Sequence, residues 1–75
     1  MDKLEIKEML AKQLRIDVND IEDDSNLVND LGADSIDLVE MLMMIEENLG
    51  ITITDEEAAE LKTVRDVANF IEDHE

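Results

Sequence analysis

Asp34-Ser35-Ile36-Asp37-Leu38-Val39-Glu40-Met41-Leu42-Met43-Met44-Ile45-Glu46-Glu47-Asn48-Leu49-Gly50 is the stretch that sets the architecture. Within it, Leu38, Met41, Leu42, Ile45 and Leu49 recur at helical spacing and form one core-facing stripe. Asp34 stands where an N-cap is needed, Asp37 follows three residues on, and Gly50 is placed to end the element. The spacing predicts a helix over Ser35–Leu49. A second face of that helix carries Ile36, Val39 and Met43 among the acids Asp37, Glu40, Glu46 and Glu47. An apolar strip rimmed by carboxylates suits docking: the centre excludes water and the rim steers basic partners.

Working outward, Ile6, Met9, Leu10 and Leu14 predict an earlier helix from Asp2 to about Arg15, with acids early and Lys12 and Arg15 late. Asp17 to Asp34 is a long polar segment rich in Asn, Asp and Ser, with room for a short helical turn. Its apolar residues, Val18, Ile21, Leu27, Val28 and Leu31, are expected to pin it onto the core. A loop this long in so small a chain is usually functional. After Gly50, Ile51–Thr54 alternates like a strand but has no pairing partner, so an extended connector is expected. Thr54 and Glu57 have the form of a capping box opening a short helix to about Leu61. Thr63 then caps a last helix that turns Val64, Val67, Ala68 and Ile71 inward. The expected fold is all-α: a small four-helix bundle, three longer helices and one short, with a long loop between the first two. Residues 1–75 read as one small domain, with no repeat, linker or low-complexity tract.

Charge narrows the function. Six basic residues stand against 22 acids, a net charge of −16, which argues against nucleic acid and anionic membranes as partners. Between Ile16 and Leu61 there are 15 acids and no basic residue. Such a stretch repels itself and presents a strong field to basic protein surfaces. No apolar run approaches a membrane span, so a cytoplasmic, monomeric protein is expected. With no cysteine, there is neither a disulfide nor a thiolate metal site. A calcium loop starting at Asp20 fails in register: Ser25 falls where glycine is needed and Leu31 where glutamate is needed, so no metal site is expected.

Leu31-Gly32-Ala33-Asp34-Ser35-Ile36-Asp37 resembles the prosthetic-group attachment motif of acyl carrier proteins, in which Asp-Ser-Leu follows Leu-Gly-Ala. The resemblance extends over nearly the whole chain in length, acidity, helix order and the central serine. Ile36 departs from the family's usual leucine and keeps the apolar bulk. The resemblance implies that Ser35, flanked by Asp34 and Ile36, bears a 4′-phosphopantetheine arm donated by coenzyme A, on whose thiol acyl groups ride as thioesters. It also implies docking of a phosphopantetheinyl transferase and fatty-acid synthesis enzymes through Arg/Lys patches that meet Asp37, Val39, Glu40, Met43, Glu46 and Glu47. The acyl chain is expected to slip between helices lined by Met41, Leu42, Ile45, Leu49, Ile53, Ala58, Leu61 and Ile71. The Leu-Gly-Ala form favours fatty-acid synthesis; polyketide or D-alanyl and aminoacyl transfer is the alternative, and an acidic interaction module that makes no use of Ser35 is a further one.

The residues themselves argue against a catalyst. A nucleophilic serine needs a base, an orienting group and oxyanion donors. The only histidine is His74 at the far end, and no lysine lies within 20 residues of Ser35. Exposed carboxylates are poor bases at neutral pH.

Overall fold

The computed structural model describes residues 1–75. Its elements are α1 (Lys3–Leu14), a single 3₁₀ turn (Val18–Asp20), α2 (Ser35–Leu49), α3 (Asp55–Glu60) and α4 (Val64–His74). There are no strands, only one isolated bridge between Asn26 and Thr63. No helix is long and apolar enough to cross a membrane.

Every α-helix opens with a capping box, which satisfies two backbone donors that would otherwise lack partners. In α1, Asp2 Oδ1 accepts from the Glu5 amide at 2.8 Å, and Glu5 Oε1 accepts from the Asp2 amide at 3.4 Å. Thr54 with Glu57 and Thr63 with Asp66 repeat the arrangement for α3 and α4. Two helices end in left-handed residues. Gly50 (φ 67°) closes α2 at no steric cost, whereas α1 closes on Arg15 (φ 59°), where a side chain is strained.

The spacing of apolar residues is matched by the packing. Ile6, Met9 and Leu10 of α1, Met41 and Ile45 of α2, and Val64, Val67, Ala68 and Ile71 of α4 fill one core, with α1 packed on α2 and α4 and α2 packed on α4. Leu38, Leu42 and Leu49 of the α2 stripe lie half-buried at its edge. The short α3 contributes no buried residue and rests on the outside.

The long segment before α2 is ordered by its own hydrogen bonds and by two anchors, Ile21 and Leu27. Val28 departs from expectation: it is 50% exposed and does not pin the loop. The reason is local. Asn26 Oδ1 accepts from the amides of Val28 and Asn29, forming a tight turn that sends Leu27 inward and its neighbour outward. Asp23 makes a further tie to α1, accepting from Lys7 at 3.1 Å and Lys3 at 3.3 Å. Hydrogen bonds from Lys7 and then Lys3 hold its carboxyl below the usual range.

Candidate functional site

The chain has two serines, and their surroundings separate them. Ser25 is 8% exposed, and its hydroxyl accepts from the Glu22 amide at 3.0 Å. Its carbonyl also receives the Val64 amide, so both ends of the residue serve the loop. Ser35 is exposed and is the first residue of α2. Gly32 (φ 74°) brings the chain round, the buried Ala33 donates its amide to Leu27, and Asp34 caps the helix. The hydroxyl of Ser35 is thus displayed at the mouth of a helix beside backbone amides that favour a phosphate group.

Asp34 and Asp37 are occupied with each other's backbone. Asp34 Oδ1 accepts from the Asp37 amide at 2.9 Å, and Asp37 Oδ2 accepts from the Asp34 amide at 3.2 Å. Neither is arranged as a base for Ser35. His74 sits at the end of α4, stacked on Phe70 with ring centroids 4.1 Å apart and 3.6 Å from Glu57 of α3. The amide and then the hydroxyl of Thr54 hold the Glu57 carboxyl below its ordinary range, with His74 the weakest contributor. The surroundings of Ser35 therefore suit acceptance of a group and supply no acid–base machinery.

The second face of α2 is open. Ile36, Val39 and Met43 are 67%, 54% and 54% exposed, an apolar strip that starts beside Ser35 and runs along the helix. Glu40 and Glu47 border it in solvent, and Asp37 is half-exposed beside the cap. Glu40 also accepts from the Gln13 amide group of α1. Glu46, expected at the same rim, is turned back instead: half-buried, its Oε2 accepts from the Ile53 amide at 2.8 Å and holds the connector after α2.

The eight residues expected to line a chain-binding space are not gathered around one opening. Met41, Ile45 and Ile71 are sealed in the core, and Leu42, Leu49 and Ile53 lie half-buried at its edge. Only Ala58 and Leu61 border a cleft. That cleft, about 360 Å³ in volume, also takes in Leu27, Val28, Leu38 and Ala59, with Asn26, Asn29 and Lys62 as polar edges. Spacing alone missed this set because Leu27 and Val28 come from the loop and Leu38 sits at the edge of its stripe. A second cleft of about 340 Å³, between α3 and α4, is walled by Glu57, Glu60, Asp66, Asp73 and His74 and is polar.

Comparison with known proteins agrees with this geometry. The family described as "Phosphopantetheine attachment site" matches residues 5–71. An acyl carrier protein of Helicobacter hepaticus is 45% identical over 73 residues, covering 96% of each chain. One from Clostridium acetobutylicum is 45% identical over 69 residues, covering 92% of this chain and 90% of that one. A solution structure from Anaplasma phagocytophilum, described as a candidate acyl carrier protein, superposes with a TM-score of 0.81 at 30% identity, over 92% of this chain and 82% of that one. With a phosphopantetheine attachment family matched over residues 5–71 and relatives at 45% identity over nearly the whole chain, the chain belongs to the acyl carrier protein family, as a carrier with covalently attached 4′-phosphopantetheine and not a catalyst.

Proposed function

We propose that residues 1–75 act as one monomeric carrier domain in the cytoplasm, that Ser35 is the attachment residue, and that the chain shuttles acyl thioesters between enzymes of fatty-acid synthesis. The observation that carries the attachment site is the contrast between the two serines: Ser35 is free at the surface, while Ser25 is buried and hydrogen-bonded. In a transferase's site, the Ser35 oxygen gives up its proton to a base of the transferase and forms one bond to the pantetheine-side phosphorus as the pyrophosphate linkage of coenzyme A breaks and adenosine 3′,5′-bisphosphate leaves. The arm, once bound, supplies a terminal thiol for thioester chemistry. Ser35 places it on the rigid first turn of α2, and the carboxylates of Asp34 and Asp37 keep a phosphodiester from lying tight against the surface.

Ile36, Val39 and Met43 then form the apolar centre on which partner enzymes dock, with Asp37, Glu40 and Glu47 at the charged rim. Glu46 supports this surface from within by fixing the connector. The cargo shelters in the cleft between the Asn26–Asn29 turn and α3, with Leu38, Ala58 and Leu61 as its apolar wall. Because α3 buries nothing of its own, it is the wall that yields to longer chains, toward Met41, Leu42, Ile45, Leu49, Ile53 and Ile71. Met41 on that path adapts to shape more readily than a phenyl ring, of which the chain has one, Phe70.

Incubation with a phosphopantetheinyl transferase and coenzyme A tests the attachment. The wild-type chain is expected to gain the mass of one arm and Ser35→Ala none; an unmodified wild type overturns the assignment. Loading of the modified chain with malonyl groups by a malonyl transferase, and refusal of D-alanine from its ligase, is expected for fatty-acid synthesis; the reverse supports the D-alanyl alternative.

A further inference from the structure

We infer that Asn26 is a positioning residue for the modification of Ser35, an inference that rests on the assignment of Ser35 as the attachment site. Hydrogen bonds converge on Asn26 as on no other loop residue. Its Oδ1 accepts from the Val28 amide at 3.0 Å and the Asn29 amide at 2.9 Å. Its amide donates to Asp30 Oδ2 at 2.7 Å, and its carbonyl accepts from the amides of Asp30 and Leu31 at 2.9 and 3.0 Å. The turn so built fixes the direction of Leu27, which is 1% exposed.

Leu27 connects the turn both ways. Its amide donates to the Lys62 carbonyl at 2.9 Å, at the junction of α3 and α4, and its carbonyl accepts from the Ala33 amide at 2.9 Å. Ala33 is buried and stands two residues before Ser35. From Ala33 onward the chain is held by the Asp34–Asp37 capping box, which orients the helix start relative to itself and not relative to the rest of the molecule. The path Asn26, Leu27, Ala33 therefore ties the head of α2, and with it the Ser35 hydroxyl, to the loop and to the α3–α4 junction, beyond the hold that Met41 and Ile45 give the helix further along. Of the apolar strip, Ile36 shares the first turn with Ser35, whereas Val39 and Met43 lie further along α2, on the stretch that Met41 and Ile45 anchor in the core.

Loss of the Asn26 side chain frees two amides to water and loosens the turn without opening the core, because Leu27 itself remains. Val39 and Met43 stay in place on the core-anchored part of α2 while the hydroxyl is less well placed, so the rate constant falls and the apparent affinity does not. Transferase kinetics with coenzyme A are measured on wild type, Asn26→Ala, Asn26→Ser and Ala68→Gly, with rates referred to the folded fraction from circular dichroism. Asn26→Ala is expected to lower kcat about three- to tenfold at unchanged KM, the equivalent of one or two hydrogen bonds. Asn26→Ser, whose hydroxyl can accept from the same amides, restores most of it. Ala68→Gly weakens the fold from α4 and keeps the wild-type kcat. An Asn26→Ala chain that does not fold, that keeps full kcat, or whose loss is matched by Ala68→Gly overturns the role of Asn26 and leaves Ser35 as the site. An unmodified wild type overturns both.

Discussion

Replacing Ile45 and Met43 by alanine, one at a time, separates the two faces of α2. Ile45 is 0% exposed between α1 and α4, and Met43, two residues earlier, is 54% exposed. Ile45→Ala removes three carbon atoms from the core, about 2.4 kcal/mol at roughly 0.8 kcal/mol per buried methylene. The cavity left behind adds to this, for a total of about 3 kcal/mol within the usual range of about 2–5 kcal/mol. A chain of this size, without disulfides, has only about 3–5 kcal/mol in all. The variant is therefore expected to lose about 12–24 °C in Tm, at 4–8 °C per kcal/mol, and to be largely unfolded near body temperature. Met43→Ala is expected to stay within about 0.5 kcal/mol of wild type, as surface changes do, while slowing modification by the transferase. Urea melts followed by far-ultraviolet circular dichroism give both numbers. A cost below about 1 kcal/mol for Ile45→Ala, or an equal cost for Met43→Ala, would refute the division of α2 into a core face and a docking face.

Three further outcomes follow from the charges. Glu40→Lys places a cation beside the docking strip and is expected to slow modification about threefold or more at low salt, with a flatter salt dependence; unchanged kinetics in a transferase assay would remove Glu40 from the rim. Asp23→Asn removes a carboxylate whose folded pKa is held low by Lys7 and Lys3. Its stabilising effect is present above the unfolded value of about 4 and is lost as pH falls through the lower folded value, so the gap in Tm between wild type and variant closes on acidification. A gap that persists at the acid end would contradict the assigned ion pairs. Added salt or millimolar magnesium is expected to raise Tm by about 4–8 °C, the equivalent of about 1 kcal/mol, by screening the acids between Ile16 and Leu61; a Tm that does not move would show that self-repulsion is not a significant term.

The parts of the fold governed by short-range rules were legible in the chain itself. The 3.6-residue recurrence of Ile6, Met9 and Leu10, of Met41 and Ile45, and of Val64, Val67 and Ile71 marks three helices, since each must bury one stripe. The capping boxes at Asp34, Thr54 and Thr63 mark where helices begin, including α3, which has too few apolar residues to announce itself otherwise. The exposure of Ile36, Val39 and Met43 follows from the same geometry, since they stand on the opposite side from Ile45. What could not be read lies in the loop, at a helix end and where the connector folds back on α2, and depends on contacts that no helical period links. Val28 and Leu27 are both aliphatic, and only the Asn26 turn together with the Leu27–Lys62 hydrogen bond decides which points inward. Glu46 looks like its neighbour Glu47 until the connector folds back over it. Arg15 in a left-handed cap carries no local signal, because glycine or asparagine is the usual occupant. The cleft beside α3 combines loop, α2 and α3 residues that no single periodicity links.

Peptide mapping by mass spectrometry of the chain purified from its native host tests the attachment site most directly. Phosphopantetheine is expected on the peptide containing Leu31–Asp37, with fragment ions placing it on the Ser35 oxygen. An arm found on Ser25, or protein from an actively growing culture that bears none, would contradict the account.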